Sequence, residues 1–126
     1  MTAPNLRDRY LQDSINTASP AKLLVLLYDR LVLDLHHAEE AMRGGDRDAG
    51  SEAVLHAQEI VLELRTTLEV DSWAGAAGLA ALYGFVLTEL IGANVNQDAE
   101  RVAACRTLIE PLRDAWREAA AAAAAG

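Results

Sequence analysis

The stretch TASPAKLLVLLY, residues 17–28, constrains this chain more than any other. Ser19-Pro20 is a helix start: the Ser19 hydroxyl can cap a free backbone N–H, and Pro20 sits where its missing donor does no harm. Lys22 stands where a capping box needs Glu. Six consecutive apolar residues follow, Leu23 through Tyr28. An ordinary surface helix is apolar along one stripe only. At ~100° per residue, Leu23, Leu24, Val25, Leu27, Tyr28, Leu31, Val32 and Leu35 cover an arc of about 200°, wider than a core-facing stripe. Leu26 and Leu33, one heptad apart, fall outside even that arc, among Lys22, Asp29 and His36. This helix needs cover on several sides.

The rest of the chain supplies partners of the same kind. The first helix runs to about Arg43, where Gly44-Gly45 ends it. The spacing predicts a second helix over about Asp48 to Glu69, with Ala53, Ala57, Ile60, Val61, Leu64 and Leu68 as its core stripe. A third spans about Ala74 to Ala93 on Leu79, Leu82, Tyr83, Val86 and Leu90, weakened locally by glycines 75, 78, 84 and 92. Asn94 to Asp98 reads as a turn. A fourth helix carries Val102, Cys105, Ile109, Leu112 and Trp116, and Pro111 inside it predicts a kink near Thr107 to Glu110. Four helices with short connections make an all-α, antiparallel up-down four-helix bundle. The domain plan is an N-terminal arm over residues 1–18, a bundle over 19–118 and a low-complexity alanine tail over 119–126. The arm is polar, with Tyr10, Leu11 and Ile15 as its apolar side chains.

Charge narrows the partners. The net charge is −8, and all but one of the 11 basic residues are arginine. No basic stripe of the kind that binds nucleic acid is visible, and an anionic membrane surface would repel the chain. No apolar run in the sequence approaches the ~20 residues of a membrane span, so no direct membrane insertion is expected. The single cysteine, Cys105, cannot form an internal disulfide, which suits a reducing compartment. The expected location is cytoplasmic.

Catalytic and metal chemistry find no footing. His36 and His37 are adjacent, so on a helix they point about 100° apart and cannot share one ion. A di-iron bundle needs Glu-x-x-His on two helices; Asp34-x-x-His37 is the nearest match and occurs once. Cys105 lies on a core stripe without the basic neighbour that would favour a thiolate. Glu39-Glu40 and Glu59/Glu63 lie on polar faces near arginines. GxGxxG, GxxxxGK[ST] and GxSxG are all absent from the sequence. The expectation is no enzyme, no cofactor and no metal.

The surplus apolar surface remains. A first helix serving as the central strut of the bundle would explain its own wide arc. It does not explain Leu55 and Leu62, again one heptad apart and nearly opposite the core stripe of the second helix, nor Leu87 and Ile91, displaced on the third. Leu26, Leu33, Leu55, Leu62, Leu87 and Ile91 are therefore candidate groove residues for amphipathic or extended segments of a partner. The alternative is a structural bundle that homodimerises through the same faces.

Particular residues add a resemblance. Tyr10 and Ile15 before Thr17-Ala18-Ser19-Pro20, then Lys22-Leu23-Leu24 and Leu27-Tyr28-Asp29, resemble the opening of the flagellin export chaperones, the FliS family. The likeness continues through Ile60-Val61, Glu63-Leu64, Leu79, Leu82-Tyr83, Leu90, Ala93-Asn94 and Asp98, and closes on Leu108, Leu112 and Ala115-Trp116. The resemblance implies a cytoplasmic helical bundle that binds the disordered C-terminal segment of flagellin, prevents premature polymerisation and helps deliver it to the flagellar export apparatus. It also implies that the arm around Tyr10, Leu11 and Ile15 covers an apolar pocket until the client displaces it. Gly78, Gly84 and Pro111 depart from the family pattern.

Overall fold

The computed structural model describes residues 20–125, so the arm residues Tyr10, Leu11 and Ile15 and the capping Ser19 lie outside the described residues. Four α-helices follow in order: α1 (Pro20–Arg43), α2 (Arg47–Thr67), α3 (Ala76–Asn96) and α4 (Ala99–Ala125). Two of the three turns use one device. After α1, Gly45 takes a left-handed φ of 78°, its N–H reaches the Met42 carbonyl, and the Asp46 N–H reaches back to Ala41. Asp46 then caps α2 by accepting from the Ala49 N–H at 3.1 Å. At the other end Gln97 takes the left-handed position at φ 49°, Asp98 N–H bonds to the Ala93 carbonyl, and Asp98 accepts from the Arg101 N–H. The predicted turn over Asn94 to Asp98 is therefore shorter than expected, and α3 starts and ends later. A non-glycine residue in the left-handed position carries no obvious sequence signal.

α1 packs along both α2 and α4, and α3 closes the square opposite it by packing on the same two helices. That placement buries Tyr28, Leu31, Val32 and Leu35 completely or nearly so, and draws Leu24 and Leu27 against the core. Val54, Val61, Tyr83, Val86, Leu90, Val102, Cys105 and Ile109 meet them in the centre. Leu112 and Trp116 pack at the margin, half-buried.

A ladder of charges runs down the α1–α4 seam. Asp29 meets Arg117 at 2.7 Å, His36 meets Glu110 at 3.6 Å, Glu39 meets Arg106 at 3.0 Å and Arg43 meets Glu100 at 2.8 Å. Numbers rising along α1 pair with numbers falling along α4, which fixes the antiparallel register. Glu39 feels two opposed effects: burial pushes its carboxyl up, and the hydrogen bonds from Arg106 and Arg43 outweigh it and hold the group below its ordinary value.

Pro111 lies exposed within α4, which remains one α-helix through it and on to Ala125. The ring removes the donor that would reach the Thr107 carbonyl. The alanine tail is thus a continuation of α4, largely exposed. By length and composition α3 is apolar enough to cross a membrane, which a count of unbroken apolar residues did not reveal. In the bundle it buries Leu79, Tyr83, Val86, Leu90 and Ala93.

Candidate binding surfaces

Two concave surfaces with apolar side chains in their lining flank α1. The first is an open groove of about 550 Å³ along the outer side of the α1–α2 seam. Its floor is Asp34, 3% exposed although it interrupts the apolar run of α1. Arg30, one turn earlier, approaches this carboxylate at 3.3 Å, and His56 Nδ1 of α2 bonds to its other oxygen. The Arg30 guanidinium and the His56 imidazole are what make the burial of this carboxylate tolerable.

Leu55 is in the lining of the groove, and Leu26, Leu33 and Leu62 lie beyond that lining on the same two helices. Leu26 and Leu33 share a helix face with the groove-lining Arg30 and His37. Leu55 lines the groove itself and Leu62 extends its face, with Glu52 and Glu59 between and beside them. The exposures are 51% and 43% for Leu26 and Leu33, and 52% and 50% for Leu55 and Leu62. Half-exposed leucines on both helices leave apolar surface that an amphipathic helix could cover. The α2 wall carries Glu52 and Glu59, whereas on α1 Arg30 is paired with Asp34.

The other two candidates do not join them. Leu87 is half-buried and packs against the core, and Ile91, 54% exposed, lies on α3 across the bundle. Ile91 instead belongs to an outer α3 face with the exposed Phe85 and Val95. The helical wheel placed Leu87 off the main stripe because it could not show that α3 touches two neighbours rather than one.

The second surface is an end pocket of about 280 Å³, lined by Leu24, Leu64, Leu68, Trp73, Leu79 and Trp116, with Tyr83 in its wall. Leu24 lies one turn into α1, so the pocket opens beside the point where the chain before Pro20 departs. Trp73, from the α2–α3 loop, meets Trp116 edge-on at 6.5 Å, and Trp116 meets Tyr28 at 6.4 Å. Behind them the hydroxyls of Tyr28 and Tyr83 share a hydrogen bond of 2.5 Å. Burial pushes both phenols up, Tyr83 well beyond the usual range. Trp116 Nε1 is buried beside the Tyr28 hydroxyl but meets no acceptor in hydrogen-bonding geometry. Sequence reading missed this pocket; its signal is that two tryptophans and two tyrosines converge in a chain only 5% aromatic.

The polar groups outside these surfaces are structural. His36 turns to Glu110 on α4 and His37 to the groove, so the adjacent histidines diverge. Among the described residues no group of three or more His, Cys, Asp or Glu side chains could hold a metal ion. Cys105 is buried, and burial raises its thiol to about 11, which keeps it protonated and unreactive.

Residues 3–123 match the family model described as flagellar protein FliS. The flagellar secretion chaperone FliS of Bacillus subtilis is 30% identical over 119 residues, covering 94% of this chain and 89% of the relative. The protein of the same name from Salmonella typhimurium is 26% identical over 110 residues, covering 86% and 82%. A solved structure described as a flagellar chaperone from bacteria superposes with a TM-score of 0.74 at 24% identity, over 88% of this chain and 91% of the other.

Proposed function

Because the chain belongs to the FliS family of flagellar proteins, a family of secretion chaperones and not of enzymes, we propose that it binds the disordered C-terminal segment of flagellin in the cytoplasm. By covering that segment it prevents premature polymerisation, and it carries the client to the flagellar export apparatus. The observation that carries this reading is the groove along the α1–α2 seam, lined by Leu55, with half-exposed Leu26, Leu33 and Leu62 on the same two helices beyond its lining. A client segment with apolar residues at helical spacing covers these leucines and becomes helical as it does so. Such coupled folding gives a large negative heat-capacity change and loses ~2–5 kcal/mol to ordering.

The arm completes the reading. Tyr10, Leu11 and Ile15 act as a lid on the end pocket beside the start of α1, and the client displaces it. Burying two such side chains recovers ~2–4 kcal/mol after discounting for ordering, so a closed arm lowers apparent client affinity by the fraction of time it is closed. Calorimetric titration with full-length flagellin and with flagellin lacking its C-terminal tail tests the function. Binding only to the full-length client supports it, and equal binding to both overturns it.

One observation favours a second reading, self-association. The outer face of α3 exposes Phe85, Ile91 and Val95, and its one charged side chain, Glu89, is paired with Arg101 at 2.8 Å. Sedimentation of the client-free protein separates the readings: a stable dimer that ignores flagellin favours the second.

A further inference from the structure

The outward side of α3 carries a pattern that the bundle does not use. Gly78, Ala81, Phe85, Thr88, Gly92 and Val95 follow one another at steps of three and four, which places them on one helix face. Five of the six are exposed and Gly92 is half-buried, with Phe85 at 53% and Val95 at 69%. None is charged, and the Thr88 hydroxyl is already satisfied by the Gly84 carbonyl at 3.1 Å. Of the most apolar 18 residues of α3 only 33% are buried. An uncharged seam at heptad spacing is what one helix presents to another. The glycines give this seam a shape. A glycine inside a helix weakens it, so its presence needs a cause. Gly92 has one in its own chain, because a Cβ there would meet the Arg101 guanidinium at 2.1 Å. Gly78 has none: among the described residues a Cβ there would meet nothing within 4 Å. The seam therefore has a gap at Gly78 and, two turns later, a bulge at Phe85.

We propose that this seam joins two copies of the chain, in an antiparallel α3–α3 pair that seats Phe85 of each copy in the gap over Gly78 of the other. The inference rests on the self-association reading and adds its interface and register. A second copy fits because bulge and gap lie on the same stripe, and a two-fold axis between Ala81 and Leu82 exchanges them. The small residues around that axis let the two backbones approach closely. Charge points the same way. A cationic partner would find no carboxylate on the seam, and Glu89 beside it is already paired with Arg101. Two chains of net charge −8 repel each other, so they can meet only where charge is missing. A single pair of 21-residue helices buries less than a standard interface, so the dimer forms with concentration and is not obligate. Because α3 lies opposite α1 in the bundle, the pairing leaves the α1–α2 groove open.

Sedimentation of the full-length protein across the micromolar range tests this. The unaltered chain should pass from monomer to dimer, and added salt should tighten the dimer, since it screens the repulsion between two acidic subunits and has no ion pair to weaken. Phe85→Ala removes the bulge and Gly78→Phe fills the gap. Each should weaken the dimer at least tenfold while circular dichroism stays unchanged. Together they exchange bulge and gap, and the double variant should recover dimerisation to within about threefold of the unaltered chain. Disulfide trapping under air oxidation supplies a second measurement. Ala81→Cys lies beside the axis and should link two copies; the two thiols of Val95→Cys would lie about 40 Å apart at ~1.5 Å per residue and should not. Weakening by both single changes without recovery in the double variant would overturn the antiparallel register. If a dimer forms that neither single change weakens and Ala81→Cys does not trap, self-association stands and this interface falls. A monomer at every concentration, with Ala81→Cys left unlinked, overturns both.

Discussion

His56 Nδ1 and the Asp34 carboxylate meet across the α1–α2 seam, so the one buried charged side chain among the described residues is held from both helices at once. Arg30 binds it from its own helix and His56 from the neighbouring one. The contact closes the floor of the groove and ties α1 to α2 there.

Breaking that tie should loosen the groove. His56→Ala leaves Asp34 buried with Arg30 alone. A fully buried pair broken on one side costs ~3–5 kcal/mol. His56 is nearly half exposed, so water screens the loss, and the expected destabilisation is ~1–2 kcal/mol. Replacing both Asp34 and His56 with leucine should recover most of it. Urea midpoints measure the difference; a His56→Ala midpoint equal to that of the unaltered protein would show that Arg30 alone suffices.

Leu55→Asp with Leu62→Asp should reduce flagellin binding at least tenfold. Both side chains are already half exposed, so the expected stability change is only ~0.5 kcal/mol per site. Titration and far-ultraviolet circular dichroism, taken together, separate lost binding from lost fold. Normal binding by a folded double variant would remove these residues from the client groove.

Pro111→Ala should stabilise α4. An internal proline costs ~3 kcal/mol relative to alanine, part of which it returns by restricting the unfolded chain. A net gain of ~1–2 kcal/mol corresponds to a rise in melting temperature of about 5 °C for a domain of this size. Hydrogen exchange should also slow around Thr107, whose carbonyl lacks its backbone donor in the present sequence. An unchanged melting point would mean that the surrounding helix already absorbs the missing bond.

Alkaline pH should weaken the bundle through Cys105. Burial raises this thiol from its ordinary 9.0 to about 11, so the folded state holds a proton that the unfolded state releases. The stability it contributes is present in full below about 9 and is lost as pH rises toward about 11. The raised phenols of Tyr28 and Tyr83 extend the loss to higher pH in the same direction. Denaturation midpoints should fall between pH 9 and 11, and the fall should be shallower in Cys105→Ala. An equally steep decline in that variant would assign the effect to the tyrosines alone.

The legible parts of this protein are those that periodicity alone determines. Gly44-Gly45 marked the end of α1, and the heptad pairs Leu26/Leu33 and Leu55/Leu62 announced surface the core could not take. Leu87 lies off the main stripe of α3 yet packs partly against the core, since a wheel drawn for one helix does not record how many neighbours touch it. Asp34 was unreadable as a buried residue, since its burial depends on His56 arriving from another helix. The end pocket was missed for a similar reason: Trp73 comes from an irregular loop, where no period predicts a direction. The arm's three apolar residues were visible in the sequence, but they lie outside the described residues.

The pairing of α1 with α4 has a consequence in time. Asp29 and Arg117 are separated by 88 positions, so the first of the four described helices is completed by the last. At ~5–20 residues per second, α1 waits several seconds on the ribosome with its leucines uncovered before α4 can dock. Contacts this distant in sequence also slow folding, because loop closure must precede any gain. The same surplus of leucine that equips the finished bundle to shelter another chain makes its own nascent chain, for those seconds, a substrate for general chaperones.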